Sequence, residues 1–265
     1  MKNFLQTLLN ILLPWRWWSA YKRYVAKVTT SGYVGTPSPR LEAIATVVFR
    51  FWTWLQVGKI TIVNGERLDT PGRLIVCGNH SSMLDAIVAF TLMKGRDCWS
   101  IGAYDPMLVF FGLPAVVLTK LRVIPVDRSK GKTVLQPAID CVVSGKTLAI
   151  FPEGKISPTG ELLPFKPGVA LIAKAADERL QGKEPITIIP VHFCFGKRHV
   201  PSALHFGKMW LRWRGGVRLT ICEPIVLQQL EDRSVDAIMC RVRQAMERVS
   251  CPTTSSTNPC GDPNA

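Results

Sequence analysis

Short runs of aliphatic and β-branched residues alternate with helical patterns along most of this chain. The runs occupy residues 59–63, 73–78, 97–103, 115–118, 122–126, 147–151, 186–193 and 217–222. Helical patterns lie between them near 83–94, 105–111, 132–144 and 168–181, and a last helix is predicted over 235–249. Continuous Val and Ile runs are typical of strands that are buried on both faces. We therefore predict an α/β fold, with a mixed, mostly parallel sheet covered by helices.

The positive charge of the chain is concentrated near its N-terminus. The net charge is +14, and the first 59 residues contain one acid, Glu42, among many lysines and arginines. The same region holds Trp15, Trp17, Trp18, Trp52 and Trp54. Tryptophan together with cationic side chains favours a bilayer interface with anionic lipid. The sequence shows none of the signatures of the common nucleic-acid-binding modules, so the predicted anionic partner is a membrane.

Two amphipathic stretches precede the alternating region. Residues 2–13 and 41–57 each place their polar residues on one arc of a helical wheel, about 120° wide in the second stretch. Neither stretch contains 18 uninterrupted apolar residues, which disfavours a membrane-spanning helix. We predict that residues 1–58 form a membrane-associating helical segment that lies in one leaflet. Two ordinary helices packed on a soluble core, or shallow insertion of residues 41–57, are the alternatives.

The rest of the chain is predicted to be one domain over residues 59–249, followed by a disordered polar tail over 250–265. The chain has eight cysteines but no C-x-x-C pair, and most of them lie in apolar runs. This usage is typical of small core residues rather than of a secreted disulfide scaffold. We expect reduced thiols and a position on the cytoplasmic face of the membrane.

The segment CGNHSSMLDAI, residues 77–87, contains a candidate acid–base pair. His80 and Asp85 are five positions apart, about 140° on a regular helix, so they face each other only if His80 precedes the helix. The sequence permits this, because a strand ends before Asn79 and either Ser81 or Ser82 can cap the helix. The alternative is a capping box from Ser82 to Asp85, in which the carboxylate bonds only to backbone.

Three further segments carry polar groups at the predicted strand ends. Residues 121–132 end a strand with Asp127 and Arg128, and residues 150–168 leave a strand through Glu153 and then present two lysines. Residues 188–193 form a strand whose end could line a site. Open α/β sheets bind ligands at the carboxyl ends of their strands. One acid–base candidate among several cations suits proton removal from a hydroxyl beside a bound phosphate.

Together these segments resemble the glycerolipid acyltransferase family, typified by 1-acylglycerol-3-phosphate acyltransferase. The family's N-H-x-S-x-x-D block, also described as H-x4-D, corresponds to Asn79, His80, Ser82 and Asp85. Its second block ends in Arg128, its F-P-E-G block lies at 151–154, and its apolar strand with a proline lies at 188–191. The likeness extends over roughly residues 60–225, and all four blocks occur in the family's order.

The resemblance implies transfer of a fatty acyl group from acyl-CoA or acyl carrier protein to a lysophospholipid hydroxyl, with neither metal nor cofactor. The implied acceptor is 1-acyl-glycerol-3-phosphate, which would give phosphatidic acid. His80 would be the general base and Asp85 would orient it. The implied substrate-binding residues are Asn79, Ser82, Arg128, Glu153, Gly154 and Lys155.

Some alternatives remain open at this stage. Ile156 stands where the family usually has an arginine, so Lys155 or Lys166 would have to bind phosphate, or the acceptor is another lysolipid. Glu153 could instead accept backbone amides within its turn. A catalytically idle membrane-binding homologue is a further alternative. A hydrolase is disfavoured, because the chain lacks a G-x-S-x-G nucleophile motif.

Overall fold

The structure is a computed structural model that describes residues 15–93, 95–103, 105–196 and 215–249. Its contacts divide it into two compact units, one of residues 1–42 with 101–137 and one of residues 43–100 with 138–265. The helices are α1 (Trp15–Val28), α2 (Pro39–Gln56), α3 (Leu84–Leu92), α4 (Leu113–Lys120), α5 (Leu135–Val143), α6 (Gly168–Leu180) and α7 (Val235–Glu247). The strands are β1 (Ile60–Val63), β2 (Arg73–Gly78), β3 (Cys98–Ala103), β4 (Val123–Val126), β5 (Thr147–Ile150), β6 (Ile186–Phe195), β7 (Val217–Ile221) and β8 (Ile225–Val226).

The larger unit is built on a sheet with the strand order β1-β7-β6-β2-β5-β3, and β8 pairs with β6. The pairs β1–β7, β2–β6, β2–β5 and β3–β5 are parallel, whereas β6 pairs antiparallel with β7 and β8. Strand β6 is buried at every position from Ile186 to Phe193, as its continuous apolar run predicted. The prediction of a mixed, mostly parallel sheet covered by helices is therefore confirmed.

The smaller unit contains α1, α4 and β4. Its small apolar core is formed by Val28, Met107 and Ala115. The strand that we predicted at 115–118 is wrong, because these residues belong to α4. Gly112 has a φ of 83° and a proline occupies the first turn, which together start a helix in spite of the β-branched run.

Several other elements differ from the sequence-based expectations. Residues 105–112 form a 3-10 helix, and the helix predicted near 132–144 is α5, which a 3-10 helix over 128–134 precedes. Neither α1 nor β8 was predicted. Cys77, Cys98, Cys141 and Cys222 are free, as expected, but Cys194 and Cys240 are disulfide-bonded, so the expectation of reduced thiols is wrong for these two. The predicted helix over residues 2–13 and the predicted tail over 250–265 lie outside the described residues.

Helix α2 has its polar face inward and its apolar face outward. Thr46, Thr53 and Gln56, which belong to the polar arc seen in the sequence, are buried. The opposite face carries apolar residues that are each more than half exposed, namely Ile44, Val47, Val48, Phe51 and Trp54. This is the reverse of a helix at the surface of a water-soluble domain. None of the helices within the described residues has the length and hydropathy needed to cross a bilayer.

Candidate active site

Two parallel neighbouring strands of the larger unit, β2 and β5, end at the same edge of the sheet. The chain leaves β2 at Gly78 and reaches His80 two residues later, and it leaves β5 at Ile150 and enters the Pro152–Gly154 turn. Helix α3 begins at Leu84, so His80 precedes it as the sequence predicted. The pairing of β2 with β5 therefore brings the first and third sequence blocks together.

His80 and Asp85 form the pair that the sequence predicted. His80 Nδ1 lies 3.1 Å from Asp85 Oδ2, and the Asp85 side chain is fully buried. The same Oδ2 atom accepts hydrogen bonds from the backbone N–H groups of Ser81 at 2.6 Å and Ser82 at 2.7 Å. The alternative in which the carboxylate bonds only to backbone is therefore wrong, because the oxygen that accepts the two amides also holds the imidazole.

This arrangement settles the hydrogen-bonding roles of the imidazole. Two amides already donate to Asp85 Oδ2, so His80 Nδ1–H donates to the same atom and Nε2 is left as an acceptor. Among the described residues, no side chain or backbone group hydrogen-bonds to Nε2. Burial raises the pKa of Asp85, and the bonds from His80 and the two amides oppose that rise. The His80 side chain remains 18% exposed, which keeps the ring accessible.

The predicted helix cap needs a correction. The N-cap position of α3 is Met83, not Ser81 or Ser82. Ser82 is buried and its Oγ accepts a hydrogen bond from Leu84 N–H at 3.2 Å, while Asp85 satisfies the two preceding amides from inside the first turn. The capping bonds are therefore divided between two side chains. Substrate binding by Ser82 stays a prediction.

Glu153 fixes the backbone of His80. Its Oε1 accepts a hydrogen bond from His80 N–H at 2.9 Å, and its Oε2 accepts one from Leu163 N–H at 3.2 Å. From the same loop, Ser157 N–H donates to the His80 carbonyl at 2.7 Å. Glu153 is 2% exposed, and its burial raises its pKa to about 7. The loop after β5 thus holds both backbone groups of His80, which is the amide-accepting alternative for Glu153.

Two aromatic residues support the imidazole, and sequence reasoning assigned them no role. The Phe151 ring stacks on the His80 ring, with centroids 4.3 Å apart and planes 15° apart, and Phe193 packs against Phe151. A Cβ on Gly78 would lie 2.7 Å from the Phe193 ring and 3.2 Å from the Phe151 ring. Phe151 is the first residue of the F-P-E-G block and directly follows β5. That position was the signal in the sequence that Phe151 lies near His80.

Asn79 joins β2 to β6. Its Nδ2 donates to the Phe193 carbonyl at 3.1 Å, and its Oδ1 accepts from Phe193 N–H at 2.6 Å. The side chain is 2% exposed, so both polar atoms are occupied inside the protein. This pair of bonds continues the β2–β6 pairing one residue past the end of β2 and fixes the exit of the chain towards His80. Substrate binding by Asn79 stays a prediction.

The predicted phosphate-binding residues are placed unequally. Lys155 and Lys166 are exposed on the loop that holds His80, and a Cβ on Gly154 would lie 2.8 Å from Lys166 Nζ. Gly154 has a φ of 66°, which a residue with a side chain rarely adopts. Arg128 begins the 3-10 helix after β4 in the smaller unit, and its side chain lies outside what the structure describes. Its phosphate-binding role stays a prediction.

Known proteins resemble this chain in sequence and in fold. A 1-acyl-sn-glycerol-3-phosphate acyltransferase of Helicobacter pylori is 33% identical over 129 residues, which are 46% of this chain and 53% of that protein, so the chain spans about half the length of that relative. One of Limnanthes alba is 28% identical over 220 residues, 80% of this chain and 69% of that protein.

A crystal structure of the 1-acyl-sn-glycerophosphate (LPA) acyltransferase PlsC from Thermotoga maritima shares the fold, with a TM-score of 0.58 at 20% identity over 93% of this chain and 86% of that one. The model of the acyltransferase family matches residues 59–193, which include β2, β5 and both loops around His80. The chain therefore belongs to the acyltransferase family.

Proposed function

We propose that this protein transfers a fatty acyl group from acyl-CoA or acyl carrier protein to the free hydroxyl of 1-acyl-glycerol-3-phosphate, which gives phosphatidic acid. The observation that carries the proposal is an accessible imidazole with one nitrogen held by a buried carboxylate and the other without a partner among the described residues. Relatives whose names contain this activity support the choice of acceptor.

In the proposed reaction, His80 Nε2 takes the proton of the acceptor hydroxyl as its oxygen attacks the thioester carbonyl. The carbon–sulfur bond then breaks, and the thiolate leaves with the proton that His80 has held, so the enzyme is regenerated. Asp85 keeps Nδ1 protonated and stabilises the imidazolium between the two proton transfers. Glu153 and Phe151 act as positioning residues, because they hold the backbone and the ring of His80.

Binding of the acceptor phosphate is assigned to the exposed cations of the loop after β5. Lys155 and Lys166 lie in the loop that contacts His80, whereas Ile156 occupies the position of the family's usual arginine. A lysine provides a point charge rather than a bidentate fork, so it binds phosphate with less geometric selectivity. We expect this site to accept phosphate-bearing lysolipids better than lysolipids with a neutral head group.

The outward face of α2 supplies the contact with the membrane in this proposal. Ile44, Val47, Val48 and Phe51 repeat at three- and four-residue intervals on one side of the helix and are exposed. Exposed apolar patches of this kind mark interaction surfaces, and helices with such a face lie in the interfacial region of bilayers. A lipid acceptor would then reach the enzyme from the leaflet, and the thioester donor from the cytoplasm.

The catalytic proposal is tested with purified protein, radiolabelled acyl-CoA or acyl carrier protein, and a panel of lysolipids. We expect labelled diacyl product with the parent protein and none above background with His80→Ala. Lys166→Met should raise the KM for 1-acyl-glycerol-3-phosphate more than the KM for a neutral monoacylglycerol, and Lys183→Met is the matched control on a distant exposed lysine. Free fatty acid as the only labelled product would contradict acyl transfer, and no turnover with any donor would identify an idle homologue.

The membrane proposal is tested by flotation with anionic vesicles. Val47→Glu and Phe51→Glu change exposed residues and leave the core of the unit intact, so the variants should fold normally and lose vesicle binding. Leu171→Glu, a change at an exposed apolar residue of α6, serves as the matched control. If both α2 variants still bind vesicles, the outward face of α2 is not the membrane contact.

A further inference from the structure

A second concave site lies in the larger unit, away from the imidazole. The groove has a volume of about 340 Å³, in the range of small-molecule sites. None of His80, Asp85 and Glu153 lines it. Its walls come from the last turns of α2, from β1 and β7, and from the second half of α3, and they include Arg50, Thr53, Trp54, Ile60, Ile62 and Leu92.

Two polar features interrupt these apolar walls. Thr53 is 2% exposed, and its Oγ1 is buried without a hydrogen-bond partner among the described residues. A buried hydroxyl without a partner is costly, so a hydrogen bond from Thr53 to a bound molecule would be favourable. Thr91, on the facing helix, already donates its hydroxyl to the Val88 carbonyl. Of these two threonine hydroxyls in the groove wall, the Thr53 hydroxyl therefore lacks a hydrogen bond.

Arg50 adds a positive charge at the edge of the groove. Its side chain is exposed, and it makes no ion pair or hydrogen bond with any residue that the structure describes. Arg50 lies one turn of α2 before Thr53 and Trp54. An apolar groove with a cation at its edge and a hydroxyl inside matches an amphiphile with an alkyl chain and an anionic head.

We propose that this groove binds an anionic phospholipid, with one acyl chain along Ile60, Ile62 and Leu92 and the phosphate on Arg50. Rotation of the Thr53 side chain turns its hydroxyl, which is buried in this structure, towards an ester or phosphate oxygen of the same lipid. The phosphate of this lipid lies at Arg50 rather than at His80, so the proposed occupant is a lipid that takes no part in the reaction.

The bilayer is the source of this lipid because the groove adjoins the apolar face of α2. Trp54 lines the groove, and its ring packs at 5.9 Å from the ring of Phe51 on that face. A chain that leaves the bilayer beside Phe51 therefore enters the groove without crossing polar surface. The source of the lipid rests on the membrane contact proposed above, so the test is made in detergent micelles, where lipid reaches the groove without vesicle docking.

The test uses a phosphatidylglycerol with a photoactivatable diazirine on one acyl chain, added to the full-length protein in neutral detergent micelles. After irradiation, labelled peptides are mapped by mass spectrometry. We expect label on the peptides that contain Ile60–Ile62 and Thr91–Leu92. Phosphatidylcholine with the same diazirine chain should label these peptides about tenfold less, because its head group carries no net charge for Arg50 to neutralise.

Three variants make the test specific. Arg50→Gln should lower the label by about tenfold, whereas Lys59→Gln removes an equal charge from an exposed neighbour outside the groove and should leave it unchanged. Thr53→Val keeps the shape of the side chain, so the lipid-free protein should melt at the same or a higher temperature, but lipid should raise its Tm less. His80→Ala should keep the label, which separates this site from the catalytic proposal.

Each contrary result overturns the inference. Equal labelling by both head groups, or label that is insensitive to Arg50→Gln, would remove the anionic lipid as the occupant. Label confined to Val47, Val48 and Phe51 would show that lipid contacts the α2 face and leaves the groove empty. Groove labelling by a diazirine acyl thioester, but not by the phospholipid, would assign the groove to the acyl donor.

Discussion

Replacement of Asp85 by asparagine separates the charge of this side chain from its hydrogen bonds. Oδ2 of Asp85 accepts three bonds, from His80 Nδ1 and from the amides of Ser81 and Ser82. All three partners are donors, so the carbonyl oxygen of asparagine must occupy this position and the NH2 group must take the place of Oδ1. The imidazole therefore keeps its orientation and its tautomer in Asp85→Asn, while the negative charge is lost and an NH2 group is buried where Oδ1 has no partner among the described residues.

The expected effect follows from that charge. A hydrogen bond from an imidazolium to a carboxylate contributes about 1.5–3 kcal/mol, against about 1 kcal/mol for a neutral pair, and burial of Asp85 places it at the upper end. The transition state in which His80 is protonated should lose the difference between the two bonds, about 2 kcal/mol at the upper end, which lowers kcat by about 30-fold. This is less than the effect expected when the tautomer also changes, about 10⁴-fold in serine proteases.

Asp85→Ala is the informative comparison. It leaves the amides of Ser81 and Ser82 without their acceptor in a buried position, so the free energy of unfolding should fall by about 2 kcal/mol or more. The assay combines initial rates of acyl transfer with urea denaturation of the parent and both variants. Full activity of Asp85→Asn would refute charge stabilisation by Asp85, and activity as low as that of His80→Ala would refute the fixed tautomer.

Three further predictions concern the residues that hold His80 in place. Burial raises the pKa of Glu153 from 4.5 to about 7, so Glu153 ionises at a lower pH in the unfolded chain than in the folded protein. The contribution of Glu153 to the free energy of unfolding is therefore complete below pH 4.5 and is lost by about pH 7, a change of about 3 kcal/mol. Glu153→Gln should flatten this part of the pH profile in denaturation, and an unchanged slope would contradict the assignment. Gly78→Ala should displace the ring stacked on His80, lowering kcat while destabilising the fold by about 1–3 kcal/mol, and kinetics beside a thermal melt will separate the two effects. Asn79→Ala should leave the backbone groups of Phe193 unpaired and lower the unfolding free energy by about 2 kcal/mol or more, a loss that denaturant titration measures directly.

The central strands of the larger unit were predictable because their environment is simple. The runs of β2 and β6 are buried on both faces of the sheet, so neither an alternating nor a helical polar pattern competes with them. Residues 115–118 show the limit of that argument. Their apolar run has the composition of a strand, but a proline and a left-handed glycine in front of it start α4. The residues that precede a short apolar run can therefore determine whether it forms a strand or a helix.

The candidate site was predictable only in part. The sequence permitted His80 ahead of a helix with Asp85 in its first turn, the family resemblance favoured that pair, and the structure joins the two side chains. The sequence could not show that Glu153 would accept the His80 amide, because that bond depends on β2 and β5 being neighbours in the sheet. A buried acid in a turn does not have to bind substrate when two backbone amides already need it as their acceptor.

The periodicity of α2 shows that the helix is amphipathic, but it does not show which face points towards the protein interior. Its polar arc and its apolar arc are equally visible in the sequence, and the usual rule turns the polar arc to water. Here Thr46, Thr53 and Gln56 are turned towards the protein, whereas Val47 and Phe51 are more than half exposed. Exposed apolar side chains cost about 1.5–3 kcal/mol each relative to burial, so this orientation supports the membrane contact that we propose. The direction of the helix, rather than its amphipathic character, is the structural argument for that proposal.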